Sequence, residues 1–556
     1  MDVGIVATLV IGAVGLVAWL TIRQLGLGER TRNNIFTHLF ARFEGPFVAL
    51  LLLTGLAVGV LVAVTQRRRA TVVTAPLRDI AIPSRRAVAW VALVAFAVSL
   101  ATTHLAFRGF LFSMDEYSSD FQARIFAHGQ ATAELRAPWR SIGRALTPTF
   151  VFFDEGTGRW MSQYLPGYAL LKAPFVAVHA GTLLNPLLAA LAIVCMAGVA
   201  RRLWPGDGFR HWVAIGLLAT SSQFIITSGT GYSMPAHLAL NLLWLWLYLR
   251  GDARSWAAAL GVGALALVLH SPFPHALFVA PFLVRLVRER RWARLASAAA
   301  VYGAVGVAAL AYLRYVHPDE MATGGLVALF AWPTSRALFV HGVNVVVLFS
   351  WQAPVACVLA FAALARARGL SPALVDLALG LALTLAFFTC FPMPQGHWWG
   401  YHYAYQVIGN LLLLAAAGAE PLRAALGDRR ARGVVAAGLA VGAVIQLPVR
   451  LVETAGFVGP FAAADAFVQS RPERVVVVRG DSLWYGADLV RNDPYLERGS
   501  PLVLRARWLA PNTTQVLQRL MPGRVVEMSD DELARRGSPR AAFVTRSRPP
   551  VQPIGD

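Results

Sequence analysis

Long apolar runs recur along the first four-fifths of the chain and alternate with short polar turns. The runs have roughly 16 to 22 residues each, so each can cross about 30 Å of hydrocarbon as a helix. The sequence contains about thirteen of them. The first, residues 3–22, lacks a basic leader and a small-residue cleavage site, so it predicts a retained helix. The pattern predicts an all-α polytopic membrane protein.

The segment at residues 165–181 is an exception to this pattern. It carries two prolines and too few apolar residues to cross, which predicts an interfacial or re-entrant helix. With this segment kept on one side, most arginine-rich turns lie on the cytoplasmic side, as the positive-inside rule requires. The loop at residues 23–46 carries four arginines and disagrees with this scheme.

The last hundred residues change character. The stretch RVVVVR at residues 474–479, PLVLRARWL at 501–509 and RVVEM at 524–528 are typical of short strands, and together they predict a small α/β domain. We therefore divide the chain into two N-terminal helices with a cytoplasmic loop (1–86), a transmembrane core with a large external loop at 108–165 (87–450), and an external domain (451–556).

Composition agrees with the membrane class and narrows the partners. The 556 residues are 57% hydrophobic, and the mean hydropathy is +0.55. The net charge of +20 comes from arginines in short turns, where they act as topology signals, so nucleic acid binding is not expected. The three cysteines lie in apolar runs without the spacing of a metal clip or a disulfide framework.

An acidic pair, Asp115 and Glu116, follows the apolar run at residues 86–107. The next residues, 114–129, have the spacing of an amphipathic helix on the external membrane surface, and its first turn favours ionised carboxylates. An ionised carboxylate there can deprotonate an acceptor that attacks a lipid-borne electrophile. Alternatively, Asp115 caps the helix and Glu116 points to water.

A second acidic pair, Asp154 and Glu155, lies in the same loop. Together the pairs allow a divalent cation, Mg or Mn, held by Asp115, Glu116 and Asp154, although a solvated turn at Asp154 explains the second pair equally well. Basic side chains near this region can hold a phosphate leaving group or simply reach toward the interface.

Histidines and aromatic residues recur in the other predicted external loops. Imidazoles can bind phosphate or shuttle protons, and aromatic rings can stack on a sugar, but both are also common at any membrane interface. The predicted substrate-binding residues are Arg124, Asp154, Glu155, Arg159, Tyr164, Lys172, His237, His270, His397, His402 and Tyr403.

Four longer motifs lie between residues 86 and 282: SMDEYSSDFQARIFAHG, GRWMSQYLPGYALL, NPLLAALAIVCMAGVARRLW and SGTGYSMPAHLALNLLWLW. They resemble those of the GT-C superfamily of membrane glycosyltransferases, in the branch of protein O-mannosyltransferases, aminoarabinose transferases and rhizobial core transferases. The resemblance implies a GT-C-like core with external juxtamembrane helices, embedded in a bacterial inner membrane with the C-terminal domain in the periplasm.

The resemblance also implies an activity. Asp115 matches the catalytic base of the family, with Glu116 beside it, and the reaction is an inverting transfer from a polyprenyl-phosphate sugar to a cell-envelope acceptor. Many relatives carry basic residues where this chain has Gln163 and residues near Ser271 and His402. This departure makes His270 and His402 the substitutes that bind the donor phosphate.

Two other classes of function remain open from the residues alone. A lipid or sugar transporter, or a flippase, should carry ionisable residues deep inside its spans and detectable inverted repeats. A non-catalytic envelope scaffold should tolerate the loss of Asp115.

Overall fold

The computed structural model describes residues 1–25, 35–68, 80–316, 330–391, 399–496 and 501–540. Helices dominate, because apolar chain inside hydrocarbon must satisfy its own backbone hydrogen bonds. The described α-helices are Asp2–Gln24, Ile35–Leu39, Gly45–Arg68, Arg85–Leu105, Met114–Ala127, Gly143–Leu146, Gly167–Ala177, Leu184–Leu203, Gly208–Ala219, Ser222–Ser228, Met234–Arg250, Ala253–Leu267, Phe273–Arg288, Trp292–Val316, Ser335–Ser350, Val355–Leu364, Pro372–Thr389, Ile408–Ala417, Ala419–Leu426, Asp428–Val441, Leu447–Gln469, Thr513–Leu520 and Asp530–Arg535. Short π-helical segments at Phe40–Glu44 and Gly442–Gln446 join neighbouring helices.

Within the described residues, eight helices are long and apolar enough to cross a membrane. A ninth crossing results if Ser335–Ser350 and Val355–Leu364, which are bent by 110°, form one span. Ala253–Leu267 is a shorter apolar helix, so the described residues give fewer candidate spans than the predicted figure of about thirteen. The eight are Asp2–Gln24, Thr37–Arg67, Arg85–Leu105, Gly181–Leu203, Trp292–Val316, Pro372–Thr389, His402–Leu426 and Asp428–Gln469. The prediction of a polytopic helical membrane protein is confirmed.

The segment at residues 165–181 forms the helix Gly167–Ala177, which has 11 residues. At 1.5 Å per residue it is roughly 16 Å long, about half the hydrocarbon thickness. Its length therefore agrees with the prediction that this segment does not cross.

The external loop folds into a helix and a small sheet. The helix Met114–Ala127, called the site helix below, packs beside an antiparallel sheet in which Arg159–Ser162 lies between Ala133–Glu134 and Val151–Phe153. Phe121 and Ile125 of the site helix are fully buried against this sheet. The predicted amphipathic helix is thus present, and its apolar face is covered by protein.

The C-terminal region forms a parallel sheet in which Val475–Val478 is the central strand between Leu502–Arg505 and Val525–Met528. All three predicted strands are confirmed. One face of this sheet shares a hydrophobic core with the external loop, through Val475, Val477 and Leu504. The helix Leu447–Gln469 passes through residue 451, where we had placed the domain boundary. The C-terminal sheet is therefore joined to the external loop by common packing.

A fully buried ion pair joins Glu44 to Arg450. The guanidinium donates to both carboxylate oxygens at 2.7 Å, and neither side chain is exposed. Ser350 and Trp351, at the bend between two helices, also donate to Glu44 at 2.7 and 2.9 Å. The Arg450 guanidinium lies 3.6 Å from the centre of the Phe47 ring and 4.3 Å from that of Trp351. The pair thus ties an early span, the bent helices and the last long helix together.

Removing one partner of this pair should cost far more than removing both. The Arg450→Met variant leaves the Glu44 carboxylate buried without its cation, so we expect a loss of about 3–5 kcal/mol in the free energy of unfolding. The double variant Glu44→Gln, Arg450→Met should lose much less. Thermal unfolding in detergent measures both, with Arg366→Met in an exposed turn as the matched control. A double variant as unstable as Arg450→Met alone would contradict this account.

Candidate active site

The site helix begins with a reciprocal cap. The Ser113 hydroxyl oxygen accepts from the backbone N–H of Asp115 at 3.2 Å, and the Glu116 carboxylate accepts from the backbone N–H of Ser113 at 3.2 Å. Such a capping box satisfies N–H groups that have no partner within the helix. The N-cap is therefore Ser113, and the alternative in which Asp115 caps the helix is wrong.

The Asp115 carboxylate is held by two hydroxyl groups. Ser113 Oγ donates to Oδ2 at 2.7 Å, and the Tyr164 hydroxyl donates to Oδ1. Burial, together with the charge of Asp115, raises the pKa of Tyr164, so this hydroxyl keeps its proton. The Tyr164 ring in turn lies against the His270 ring, with 3.8 Å between their centres. Asp115 itself is half-buried, so it is both fixed in orientation and accessible.

Glu116 is fully buried, which overturns the alternative in which it points to water. Besides Ser113, the backbone N–H of Gly231 donates to its Oε2 at 2.6 Å. Burial raises the pKa of Glu116 to about 7, against these two backbone hydrogen bonds and the charges of Lys172 and Arg491. A Cβ at Gly231 would lie 2.7 Å from the end of the Leu111 side chain and 3.2 Å from Glu116, so a larger residue there would crowd the carboxylate.

Asp120, Arg124 and Lys172 form a buried ion cluster farther along the site helix. Lys172 Nζ lies 2.9 Å from Asp120 Oδ1, and Arg124 Nε lies 2.7 Å from Oδ2. Burial alone would raise the pKa of Asp120, but the two cations outweigh it and lower that pKa to about 2. Asp120 lies about 140° around the helix from Asp115. The cluster lines a cavity of 230 Å³ that does not include Asp115. The charge of Lys172, which was predicted to hold a phosphate, is neutralised there by Asp120.

His270, His402 and Tyr403 all lie close enough to Asp115 for its charge to act on them. Burial lowers the pKa of His270 although Asp115 opposes this, which favours the neutral imidazole. His402 is buried, with its ring 5.3 Å from the Tyr232 ring. His237 is 2% exposed, and neither ring nitrogen has a hydrogen-bond partner among the described residues.

The other predicted residues lie elsewhere. Asp154 accepts from the backbone N–H of Gly156 and from the Thr157 hydroxyl, at 2.9 and 2.7 Å, so it stabilises its own turn. Glu155 pairs with Arg144 in an exposed position. Arg159 is exposed on its strand, and His397 lies outside the described residues.

This placement bears on the predicted Mg or Mn ion. Asp115 and Glu116 bind different partners, and both oxygens of Asp154 serve its turn. Within the described residues, no three His, Cys, Asp or Glu side chains are placed together to hold a metal ion. Among the described residues the two acidic pairs therefore have separate partners, and the divalent cation stays a prediction.

Three contributors to the site were missed from the sequence. Ser113 was detectable, because Ser-x-x-Glu before an apolar stretch is the pattern of a capping box. The charge of Asp115 acts on Tyr485 and Asp488 of the C-terminal domain, although more than 360 residues separate them from it in sequence. No local sequence pattern predicts this proximity.

No protein-family model and no curated protein matches this chain. Among solved structures, ArnT from Cupriavidus metallidurans bound to undecaprenyl phosphate is similar, with 15% identity and a TM-score of 0.49 over 81% of this chain and 90% of that one. The apo structure of the same protein gives 14% identity and a TM-score of 0.48 over 80% and 90%. At these identities and TM-scores, neither likeness specifies a reaction for this chain.

The ion cluster around Asp120 should make the free energy of unfolding depend on pH in the acid range. The lowered pKa of Asp120 means that its stabilisation is complete above its unfolded value near 3.8 and is lost as the pH falls through about 2. We expect wild type to exceed Asp120→Asn by about 2 kcal/mol at pH 5 to 7, and the gap to close toward pH 2. Melting temperatures across this range measure the gap. A gap that is independent of pH would contradict the ion-pair origin.

Proposed function

We propose that this protein is a membrane glycosyltransferase that moves a sugar from a polyprenyl-phosphate donor to a cell-envelope acceptor at the external face of a bacterial inner membrane. The observation that carries the proposal is the half-buried Asp115 carboxylate, oriented by Ser113 and Tyr164 at the start of an external helix. Three of the motifs that resemble the GT-C superfamily meet at the acidic pair: they supply the pair itself, Tyr164 beside Asp115, and Gly231 beside Glu116.

The geometry favours Asp115 over Glu116 as the base. Both Glu116 oxygens accept backbone N–H groups inside the protein, so protonation of Glu116 would cost a structural contact. Asp115 accepts from side-chain hydroxyls and is partly exposed, so an acceptor hydroxyl can reach it. We assign the base to Asp115, and we assign to Glu116 the role of holding the helix start against the loop of Gly231.

The proposed reaction is a single displacement. The acceptor oxygen forms a bond to the anomeric carbon of the donor while Asp115 takes the acceptor proton. The bond between that carbon and the phosphate oxygen breaks, and polyprenyl phosphate leaves with the electron pair. Because the nucleophile enters opposite the leaving group, the configuration at the anomeric carbon inverts. Asp115 is restored when its proton passes to solvent.

The imidazoles near Asp115 suit the donor phosphate. A neutral imidazole can donate one N–H to a phosphate oxygen, and His270 and His402 both lie within the field of Asp115. Lys172 forms an ion pair with Asp120, so we assign it to the ion cluster and not to the donor phosphate. The departures of this chain from the basic residues of its relatives are therefore matched by histidines at the site.

The buried charges of the membrane part do not favour a transporter. Among the described spans, Glu44 is paired with Arg450, and Asp376 accepts from Arg285 at 2.6 Å. A transport pathway needs ionisable groups that can exchange partners with a substrate or an ion. These two pairs instead join helices to one another.

Asp115→Asn should abolish transfer. The amide keeps the size of the side chain but cannot take the acceptor proton, so we expect activity to fall by about 10²–10⁴-fold. The assay is transfer of radiolabelled sugar from a panel of polyprenyl-phosphate donors to cell-envelope fractions, with membranes containing each variant.

Two further variants sharpen this test. Asp154→Asn should retain activity because Asp154 serves its own turn, and the exposed Asp531→Asn is a matched control on the C-terminal domain. Activity retained in Asp115→Asn would eliminate the proposed base, and no transfer by wild type from any donor would eliminate the proposed function.

Tyr164→Phe should slow the reaction without abolishing it. The variant keeps the ring against His270 but removes the hydrogen bond to Asp115, and a hydrogen bond to a charged group contributes about 1.5–3 kcal/mol. We therefore expect kcat to fall by about 10- to 100-fold. Steady-state kinetics of the same transfer measure it, with Tyr315→Phe as a control that loses a remote hydroxyl. Equal rates for the two variants would show that Tyr164 does not orient the base.

A further inference from the structure

Besides the shared hydrophobic core, the C-terminal domain contacts the site helix through residues 488–495, a loop between two strands of its parallel sheet. This docking loop makes hydrogen bonds to the external loop along its length. The Tyr117 hydroxyl donates to the Asn492 carbonyl at 3.0 Å, and the Asn492 side chain donates to the Leu146 carbonyl at 2.7 Å. The Trp160 indole donates to the Pro494 carbonyl at 3.0 Å. The docking loop therefore contacts both the site helix and the sheet beside it.

Arg491 is the centre of this contact. Its guanidinium donates to the carbonyls of Leu111 and Phe112 at 2.7 and 3.3 Å, and its Nε donates to the Asp488 carbonyl at 2.8 Å. The side chain is only 7% exposed, and its charge lies 4.3 Å from the centre of the Phe110 ring. Leu111 and Phe112 directly precede Ser113, so Arg491 fixes the backbone that delivers the helix cap.

The same domain approaches Asp115 from a second position. Tyr485 has a φ of 53°, a left-handed conformation that is unusual for a bulky residue and persists only when its surroundings enforce it. Its ring lies 6.2 Å from the ring of Phe112. The charge of Asp115 acts on both Tyr485 and Asp488. The domain thus packs on Phe112, just before the cap, and lies within electrostatic range of the proposed base.

We propose that the C-terminal domain is part of the active site, and that Arg491 is a positioning residue that fixes Leu111 and Phe112 and so sets the orientation of Asp115 and Glu116. The inference rests on the proposed function. It assigns the domain a role within the reaction centre, distinct from recognition of an envelope partner by a separate surface.

Charge and shape make separable contributions at Arg491. The groups that face Glu116 are Lys172 and Tyr168 from the helix Gly167–Ala177, Tyr232 from the loop beside Gly231, and Arg491, with Asp115 adjacent in the chain. Arg491 and Lys172 favour the ionised carboxylate, which can accept both backbone N–H groups. Protonation of Glu116 removes part of this acceptor capacity, so activity should rise as the pH increases through the pKa of Glu116.

The test compares Arg491→Gln, which loses charge and shape, with Arg491→Lys, which keeps only the charge. The control is Arg479→Gln, an exposed arginine of the same domain. Each full-length protein is assayed for transfer between pH 5.5 and 9, and hydrogen exchange is followed at residues 110–117. We expect both Arg491 variants to lose kcat, by about 100-fold for Arg491→Gln, with little change in the KM for the donor.

The pH profile separates positioning from general instability. The acid limb should move to higher pH in Arg491→Gln, because loss of the cation raises the pKa of Glu116, and it should stay in place in Arg491→Lys. Exchange at residues 110–117 should be faster in both variants and unchanged in Arg479→Gln.

The possible failures are distinguishable. If wild type transfers sugar and Arg491→Gln matches it in kcat and pH profile, the inference is overturned. If the variants only melt earlier, with wild-type kinetics below their melting temperature, Arg491 is structural and the inference is also overturned. If wild type transfers nothing while exchange at residues 110–117 responds to Arg491, the proposed reaction fails and the coupling between domain and helix stands.

Discussion

The burial of the Glu116 carboxylate is the constraint on which the arrangement around the site helix depends. A buried acid is costly unless its oxygens are satisfied, and here two backbone N–H groups, from Ser113 and Gly231, satisfy them. These contacts join the start of the site helix to a loop more than a hundred residues later. Asp115 is adjacent in the chain, so the position of the proposed base follows from the way its neighbour is buried.

Charges in the rest of the protein follow the same rule. Asp120 has Lys172 and Arg124, and Glu44 has Arg450 together with two neutral donors. Each cluster joins segments that are distant in sequence, because a charge in a weakly polar interior needs a partner that the local chain does not supply. What distinguishes Asp115 is that its partners are neutral hydroxyls and that it stays partly open.

The C-terminal domain is integrated with the external loop. Val475 and Val477 share a core with Phe121 of the site helix, and Arg491 binds the backbone just before the helix cap. The domain therefore packs against the segment that carries Asp115 and Glu116.

The sequence by itself determined the membrane class, the external helix at residues 114–127, the short non-crossing helix near Lys172, and the three C-terminal strands. These features depend on local periodicity and on the length of apolar runs, and neither requires contacts between distant segments. Asp115, Tyr164 and His270 were among the residues singled out in the sequence, and the structure places them in consecutive contact. Their chemistry remains proposed.

Only the tertiary structure decided which polar side chains are partners. Asp154, like Asp115, belongs to an acidic pair in the sequence, but it accepts hydrogen bonds within its own turn. Lys172 was predicted to bind the donor phosphate, but its ammonium group pairs with Asp120. Arg450 and Arg491 carried no local signal at all. An ionisable side chain signals only that it needs a partner or water, and which of the two it finds depends on contacts between segments hundreds of residues apart.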